Sequence, residues 1–177
     1  MKIFFIRHGQ TNYNVLGLCN DDISKDVHLT DLGKQQAESI QEQIKNVSLD
    51  LVITSEFPRA RETASIIAKD QSVNFKTDSR LNDRKTGEFE GKPAVDFLNS
   101  LKKDKFNLKF ENGESFLEEK QRVHEFLAEL PNYNHQHILV VTHCEILQII
   151  NGYYNKLTDD EILNVNIDNC QVLEIII

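Results

Sequence analysis

The chain has 177 residues, 40% apolar and 27% charged, with a formal net charge of −8. That is ordinary for one globular domain spanning residues 1–177, and the acid excess excludes nucleic acid or an anionic membrane as an expected partner. No apolar run reaches the length of a membrane span or a signal-peptide core. Cys19, Cys144 and Cys170 are odd in number and far apart, which argues against a disulfide framework or a zinc site and for a cytoplasmic setting.

The first element is a short buried strand, Lys2 to Ile6, which delivers Arg7, His8 and Gly9 to its carboxyl end. Residues 12–28 read as polar loop. Thr30 reads as an N-cap, with Leu32, Ala37, Ile40 and Ile44 at helical spacing behind it. Leu51 to Thr54 is a second strand, and Pro58 opens a helix that carries Arg59 in its first turn, where free N–H groups favour anions. Val73 to Thr77 reads as a third strand and Leu81 to Gly91 as a charged loop. Residues 92–112 read as a helix with Val95, Leu98 and Leu101 on one side, then a basic stretch holding Lys102, Lys103, Lys105 and Lys109. Ser115 with Glu118 is a capping box for a helix that turns Phe116, Val123, Leu127 and Leu130 inward. Ile138 to Thr142 is the clearest strand and ends in His143-Cys144-Glu145, followed by a helical run from Ile146 to Tyr153. Thr158 with Glu161 forms a second capping box, and Gln171 to Ile177 is a last strand. Strands alternating with helices predict an α/β three-layer sandwich with a mostly parallel sheet.

Open sheets of this kind bind ligands outside the carboxyl ends of their strands. Arg7 with His8, Arg59 and His143 all fall at such ends. Two arginines and two histidines around one point make an anion pocket with a nucleophile inside it. For a phosphate ester, the arginines hold the nonbridging oxygens, one histidine attacks phosphorus, and a loop acid, Asp83 or a neighbour, protonates the departing alkoxide. Glu88 and Glu90 compete with Asp83 for that role, although Glu90-Gly91 looks like a structural turn, and Gln10 and Thr11 read as supports of the loop.

The chain resembles the histidine phosphatase superfamily, in the branch that includes cofactor-dependent phosphoglycerate mutase. Arg7-His8-Gly9-Gln10-Thr11 with Asn14 matches its opening motif, with Gln10 where a glutamate is common. Ser55, Arg59-Ala60 and Thr63-Ala64 match the second motif. Leu81, Asp83, Gly87, Glu90 and Gly91 match the acid loop, and Gly113-Glu114-Ser115 and Val141-Thr142-His143 complete the set. The resemblance implies a phosphoglycerate mutase-like fold and a phosphatase, with His8 as the residue that becomes phosphohistidine. It further implies Arg7, Arg59 and His143 as the phosphoryl clamp, Asn14 as a further phosphate contact and Asp83 as the proton donor. Two departures stand out: Asp83 where most relatives carry the longer glutamate, and Cys144 where glycine is usual.

The expected partner is a small-molecule phosphate ester, and the mechanism needs neither metal nor cofactor. Mutase relatives tend to be longer, with a tail over the site, so short connections favour hydrolysis; a phosphomutase and an inactive phospholigand-binding module are the alternatives. A cysteine-phosphatase reading of His143-Cys144 fails because its required arginine position is Ile150. His135 and His137, with no third ligand nearby, read as loop histidines, as do His28 and His124. The lysines at 102, 103, 105 and 109 read as a solvated face or as a basic lid over an anionic substrate.

Overall fold

The computed structural model describes residues 1–177. Five strands, β1 (Lys2–Arg7), β2 (Leu51–Thr54), β3 (Asn74–Thr77), β4 (His137–Thr142) and β5 (Val172–Ile176), form one sheet in the order β3-β2-β4-β1-β5. The pairings of β1 with β4, β2 with β4 and β2 with β3 are parallel. The β5 edge strand runs antiparallel to β1. The expected α/β sandwich with a mostly parallel sheet is therefore the fold observed.

Successive residues of a strand point to opposite faces, so a strand buried on both sides divides its apolar residues between two cores. Ile3, Phe5, Ile53, Ile138 and Val140 pack on one face against α5 (Phe116–Glu129) and α6 (Cys144–Asn155). Phe4, Ile6, Val52, Leu139 and Val141 pack on the other against α2 (Asp31–Ile44) and α3 (Pro58–Ile67). Three shorter helices complete the chain: α1 (Asn12–Leu16), α4 (Ala94–Ser100) and α7 (Asp159–Leu163). No helix is long and apolar enough to cross a membrane.

The caps at Thr30, Ser115 and Thr158 form as expected, each side chain accepting from a backbone N–H in the first turn. Three expectations are corrected. Residues 12–28 are not all loop: Thr11 and Asn14 make a capping box for α1. Leu32 is exposed, and Gly33 takes the inward place beside Ala37, because α2 crosses the His8 loop too closely for a side chain. On α4, Phe97 is the inward residue and Val95 and Leu98 are exposed; Leu101 is buried beyond the helix end. Phe97 stacks there with Phe89 and Phe110 in a small satellite core that also holds Cys19.

Candidate active site

β1 and β4 are adjacent and parallel, with Arg7 opposite Thr142, so His8 and His143 leave the sheet side by side. Their rings meet edge to face, with centroids 5.3 Å apart. β2 lies on the far side of β4 and feeds Ser55, Phe57 and then Arg59 in the first turn of α3. The acid loop is tied to this edge where Thr142 Oγ1 donates to Leu81 O at 2.7 Å. Asn82 is pinned to Glu56 through two hydrogen bonds of 2.9 and 2.7 Å. Asp83 therefore follows two anchored residues.

The His8 loop is held by close backbone packing. A Cβ on Gly9 would lie 2.4 Å from Gly33 O, and one on Gly33 would lie 2.1 Å from Gln10 O, so both positions exclude a side chain. Gly9 N–H donates to Thr63 Oγ1 (3.0 Å), which itself donates to Arg59 O (2.7 Å). One hydroxyl thus joins the His8 loop to the helix that carries Arg59.

The hydrogen bonds decide the state of His8. Its Nδ1 lies 2.8 Å from Gly9 O, which only accepts, so the ring proton is on Nδ1. Its Nε2 accepts from Arg59 Nε at 3.2 Å and therefore carries the lone pair. Burial, then the charges of Arg59, His143 and Arg7, hold the ring well below the usual histidine range, partly opposed by the Gly9 bond. The nitrogen facing Arg59 is an unprotonated imidazole nitrogen with its lone pair on the cleft side of the ring.

His143 is fully buried and held well below the usual range by the same causes, burial first and then Arg59. Ser55 Oγ accepts from Phe57 N–H (3.4 Å) and lies 2.8 Å from His143 Nε2, the acceptor within reach of its buried hydroxyl proton, an assignment that puts the ring proton on Nδ1. That Nδ1 is buried without a hydrogen-bond partner, 3.5 Å from Asp83 Oδ2. Such a donor is costly to bury unless a ligand meets it.

Arg59 is 3% exposed and stacks over Phe57 at 4.3 Å. Besides His8 it donates to Asn20 Oδ1, to Asn20 O (3.3 Å) and, through Nη2, to Asp83 Oδ2 (2.9 Å). Asp83 thus lies on the guanidinium as a phosphoryl oxygen would. Arg7 Nη1 donates to Ile167 O (2.6 Å), while its Nε is buried and unpartnered. The Asn14 carboxamide oxygen accepts from Thr11 N–H (3.0 Å) and Asn169 Nδ2 (3.3 Å), so its NH2 group is the free half. Arg7, His8, Asn14, Arg59 and Asp83 border one small cleft of about 70 Å³. The structure thus brings together five of the six residues expected at the site around one cleft, and His143 packs against His8 at its edge.

Other candidates fall away from it. Glu90 spends its carboxylate on Asn20 and on the backbone N–H groups of Asp21 and Asp22, and Glu88 is exposed. Arg61 is exposed. His137 Nδ1 lies 3.1 Å from Ser48 O. Burial pushes the Cys144 thiol above its ordinary value, so it is not a ready thiolate, and Ile150 is buried where a cysteine phosphatase needs arginine.

Sequence reasoning assigned no role to Asn20, which holds Arg59, or to Asn169, which donates to His8 O (3.0 Å) across 161 positions. Neither has a local signal. It also missed a buried ionic cluster behind Asp83. Arg84 pairs with Glu145 (3.2 Å) and lies 3.9 Å from Glu119, which is fully buried. Burial pushes Glu119 well above the usual carboxylate range, and its neighbour Glu145 adds to the shift.

A family model described as histidine phosphatase superfamily (branch 1) matches residues 3–177. The chain is 32% identical over 161 residues to an adenosylcobalamin/alpha-ribazole phosphatase of Escherichia coli, covering 85% of this chain and 77% of that protein. It is 30% identical over 179 residues to a 2,3-bisphosphoglycerate-dependent phosphoglycerate mutase of Thermoplasma acidophilum, covering 97% and 86%. The crystal structure of the alpha-ribazole phosphatase from Shigella flexneri superposes with a TM-score of 0.91 at 29% identity, covering 100% of this chain and 91% of that one.

Proposed function

The chain belongs to branch 1 of the histidine phosphatase superfamily and is a phosphomonoester hydrolase, and from that premise we propose that His8 Nε2 is its nucleophile and Asp83 its proton donor. Arg59 Nε gives up His8 Nε2 for a nonbridging oxygen, and the freed lone pair forms the N–P bond while the bond from phosphorus to the ester oxygen breaks. The electron pair of that bond stays on the departing oxygen, which takes a proton from Asp83, itself protonated from solvent once the phosphoryl group has displaced it from Arg59. Positive charge that grows on the imidazole is met by Gly9 O at Nδ1. Arg7 Nε, Arg59 and His143 Nδ1 stabilise the nonbridging oxygens, and the Asn14 NH2 group adds a further donor. In the second step Asp83 takes a proton from water, the water oxygen bonds to phosphorus, and the N–P pair returns to Nε2.

The observation that carries this reading is the tautomer of His8, whose lone pair is aimed at Arg59 Nε 3.2 Å away. For hydrolysis rather than return of the phosphoryl group to a second substrate, the support is access: two open grooves meet at Asp83 and give water a path. The substrates in view are small phosphate esters of the kind that the named relatives suggest, alpha-ribazole phosphate among them. The site draws on residues from Arg7 to Asn169, which supports reading residues 1–177 as one domain. Turnover of para-nitrophenyl phosphate and of an alkyl phosphate tests the assignment. Both are expected to vanish in His8→Ala; retained turnover in that variant sinks it, and faster phosphoryl exchange than hydrolysis with 2,3-bisphosphoglycerate favours the mutase.

A further inference from the structure

The phosphoryl cleft is small, so the rest of the substrate must extend past Asp83, where the departing oxygen sits. Two grooves open there, and they differ in charge. The first, about 470 Å³, is bordered by Asp21, Asp22, Glu56 and Glu114 beside Asp83. Its cations are Lys85 and Arg122, and Arg122 is spent in a forked pair on Glu114 at 2.7 and 2.8 Å. An anionic group has no place in it.

The second groove, about 530 Å³, adjoins the phosphoryl cleft, since Asp83 and Cys144 border both. Its volume is typical of small-molecule sites, which run from about 300 to 1,000 Å³. Leu98, Leu101 and Leu163 are its apolar lining. Leu98 is 60% exposed on α4, an apolar side chain without protein cover at the mouth of a pocket. On the floor, Arg84 neutralises Glu145. Gln148 Nε2 is committed to Val165 O (2.6 Å), which leaves its carboxamide oxygen as an acceptor. Lys102 and Lys105 border the same groove; Lys105 is shared with Asp160, and Lys102 makes no ion pair. Of the four lysines in this stretch, only these two belong to it, since Lys109 pairs with Glu118 and Lys103 is not among the lining residues. In a chain of net charge −8 this groove is balanced, with Arg84, Lys102 and Lys105 against Asp83, Glu145 and the Asp160 that pairs with Lys105, and Lys102 is its cation without an ion pair.

We propose that this groove holds the leaving group, and that the preferred substrate is the phosphate ester of an alcohol with an apolar body and a second anionic group, such as a carboxylate, at its far end. The apolar body lies between Leu98 and Leu163, and the anion meets Lys102 and Lys105. The proposal rests on the reading that Asp83 protonates the departing oxygen, and it adds the specificity that the phosphoryl cleft does not supply.

Three non-hydrolysable probes test it by calorimetry: 4-phenylbutylphosphonate and its para-carboxylate and para-aminomethyl derivatives, whose substituents lie far from the phosphonate. The carboxylate is expected to bind about tenfold tighter than the ammonium, a ratio that falls to one or below in Lys102→Glu/Lys105→Glu. Leu98→Asn is expected to weaken all three probes by about fivefold. Inorganic phosphate, which fills only the phosphoryl cleft, reports whether each variant is folded. Equal or reversed preference in the wild type overturns the proposal. So does a preference that survives the double charge reversal, or one that responds to Lys85→Glu instead. Turnover of the matching phosphate esters is read separately. Selective binding without turnover supports the groove and overturns the hydrolytic reading, whereas turnover without selectivity overturns the groove alone.

Discussion

The proposed mechanism gives Asp83 two jobs that pull against each other, and Asp83→Asn separates them. The carboxylate accepts from Arg59 Nη2 at 2.9 Å, so an incoming phosphoryl group must displace it from the clamp. Opposite charges about 4 Å apart attract by about 4 kcal/mol at an effective dielectric of 20. The Asp83 side chain is 32% exposed and asparagine retains a hydrogen bond to the guanidinium, so solvent and the remaining contact reduce the difference to about 1 kcal/mol. Inorganic phosphate is therefore expected to bind Asp83→Asn about fivefold tighter than wild type. Catalysis moves the other way. An alkyl ester needs its leaving oxygen protonated, and loss of a general acid costs roughly 10²- to 10⁴-fold in kcat. Para-nitrophenolate leaves without help, so para-nitrophenyl phosphate is expected to lose much less, about tenfold or under. Calorimetric titration with phosphate and initial rates on the two esters give all three numbers. Weaker phosphate binding in the variant, or an equal fall for both esters, refutes the placement of Asp83 as acid and occupant of the clamp.

His8 and His143 are both held neutral by burial first and by Arg59 next, so their folded-state values lie below the unfolded value of about 6.5. As pH falls below about 6.5 the unfolded chain takes up protons that the folded chain does not, and stability falls; above it, this contribution is constant. His8→Asn is expected to make urea stability fall less steeply between about pH 6 and 5, by up to about 1.4 kcal/mol per pH unit; parallel curves count against the assignment. Gly33→Ala forces a Cβ to 2.1 Å from Gln10 O and is expected to cost about 1–3 kcal/mol in denaturant titration, with a fall in kcat/KM as the His8 loop shifts. Arg84→Met leaves Glu145 without its cation and Glu119 with Arg122 alone, and is expected to cost about 3–5 kcal/mol. Adding Glu145→Gln to that variant is expected to restore part of the loss, and no recovery speaks against a shared network.

The strand ends were legible because their chemistry is local. An apolar run followed at once by Arg7-His8 or Thr142-His143 puts the polar pair at the carboxyl edge whatever the rest of the chain does, and a parallel sheet aligns those edges. The caps at Thr30, Ser115 and Thr158 were legible for the same reason, since side chain and recipient N–H lie three residues apart. Inward faces failed where tertiary contacts overrode periodicity. Leu32 yields to Gly33 because the helix approaches Gln10 too closely, and Phe97 replaces Val95 and Leu98 because Phe89 and Phe110 wait beneath it. Arg84, Glu119 and Glu145 share no sequence spacing that marks them as a group, and only the packing of α5 and α6 against the acid loop reveals them as a buried cluster. Asn20 and Asn169 reach the site across long sequence separations and leave no pattern to read.

The central claim is that the phosphoryl group passes through His8 Nε2. Rapid mixing with a labelled aryl phosphate, quenching in alkali to preserve the N–P bond, and peptide mapping test it directly. The account predicts acid-labile phosphate on the peptide containing His8, formed as the first alcohol is released and absent in His8→Ala. Turnover with no label on that peptide, or with inversion of configuration at phosphorus as direct attack by water requires, would contradict it.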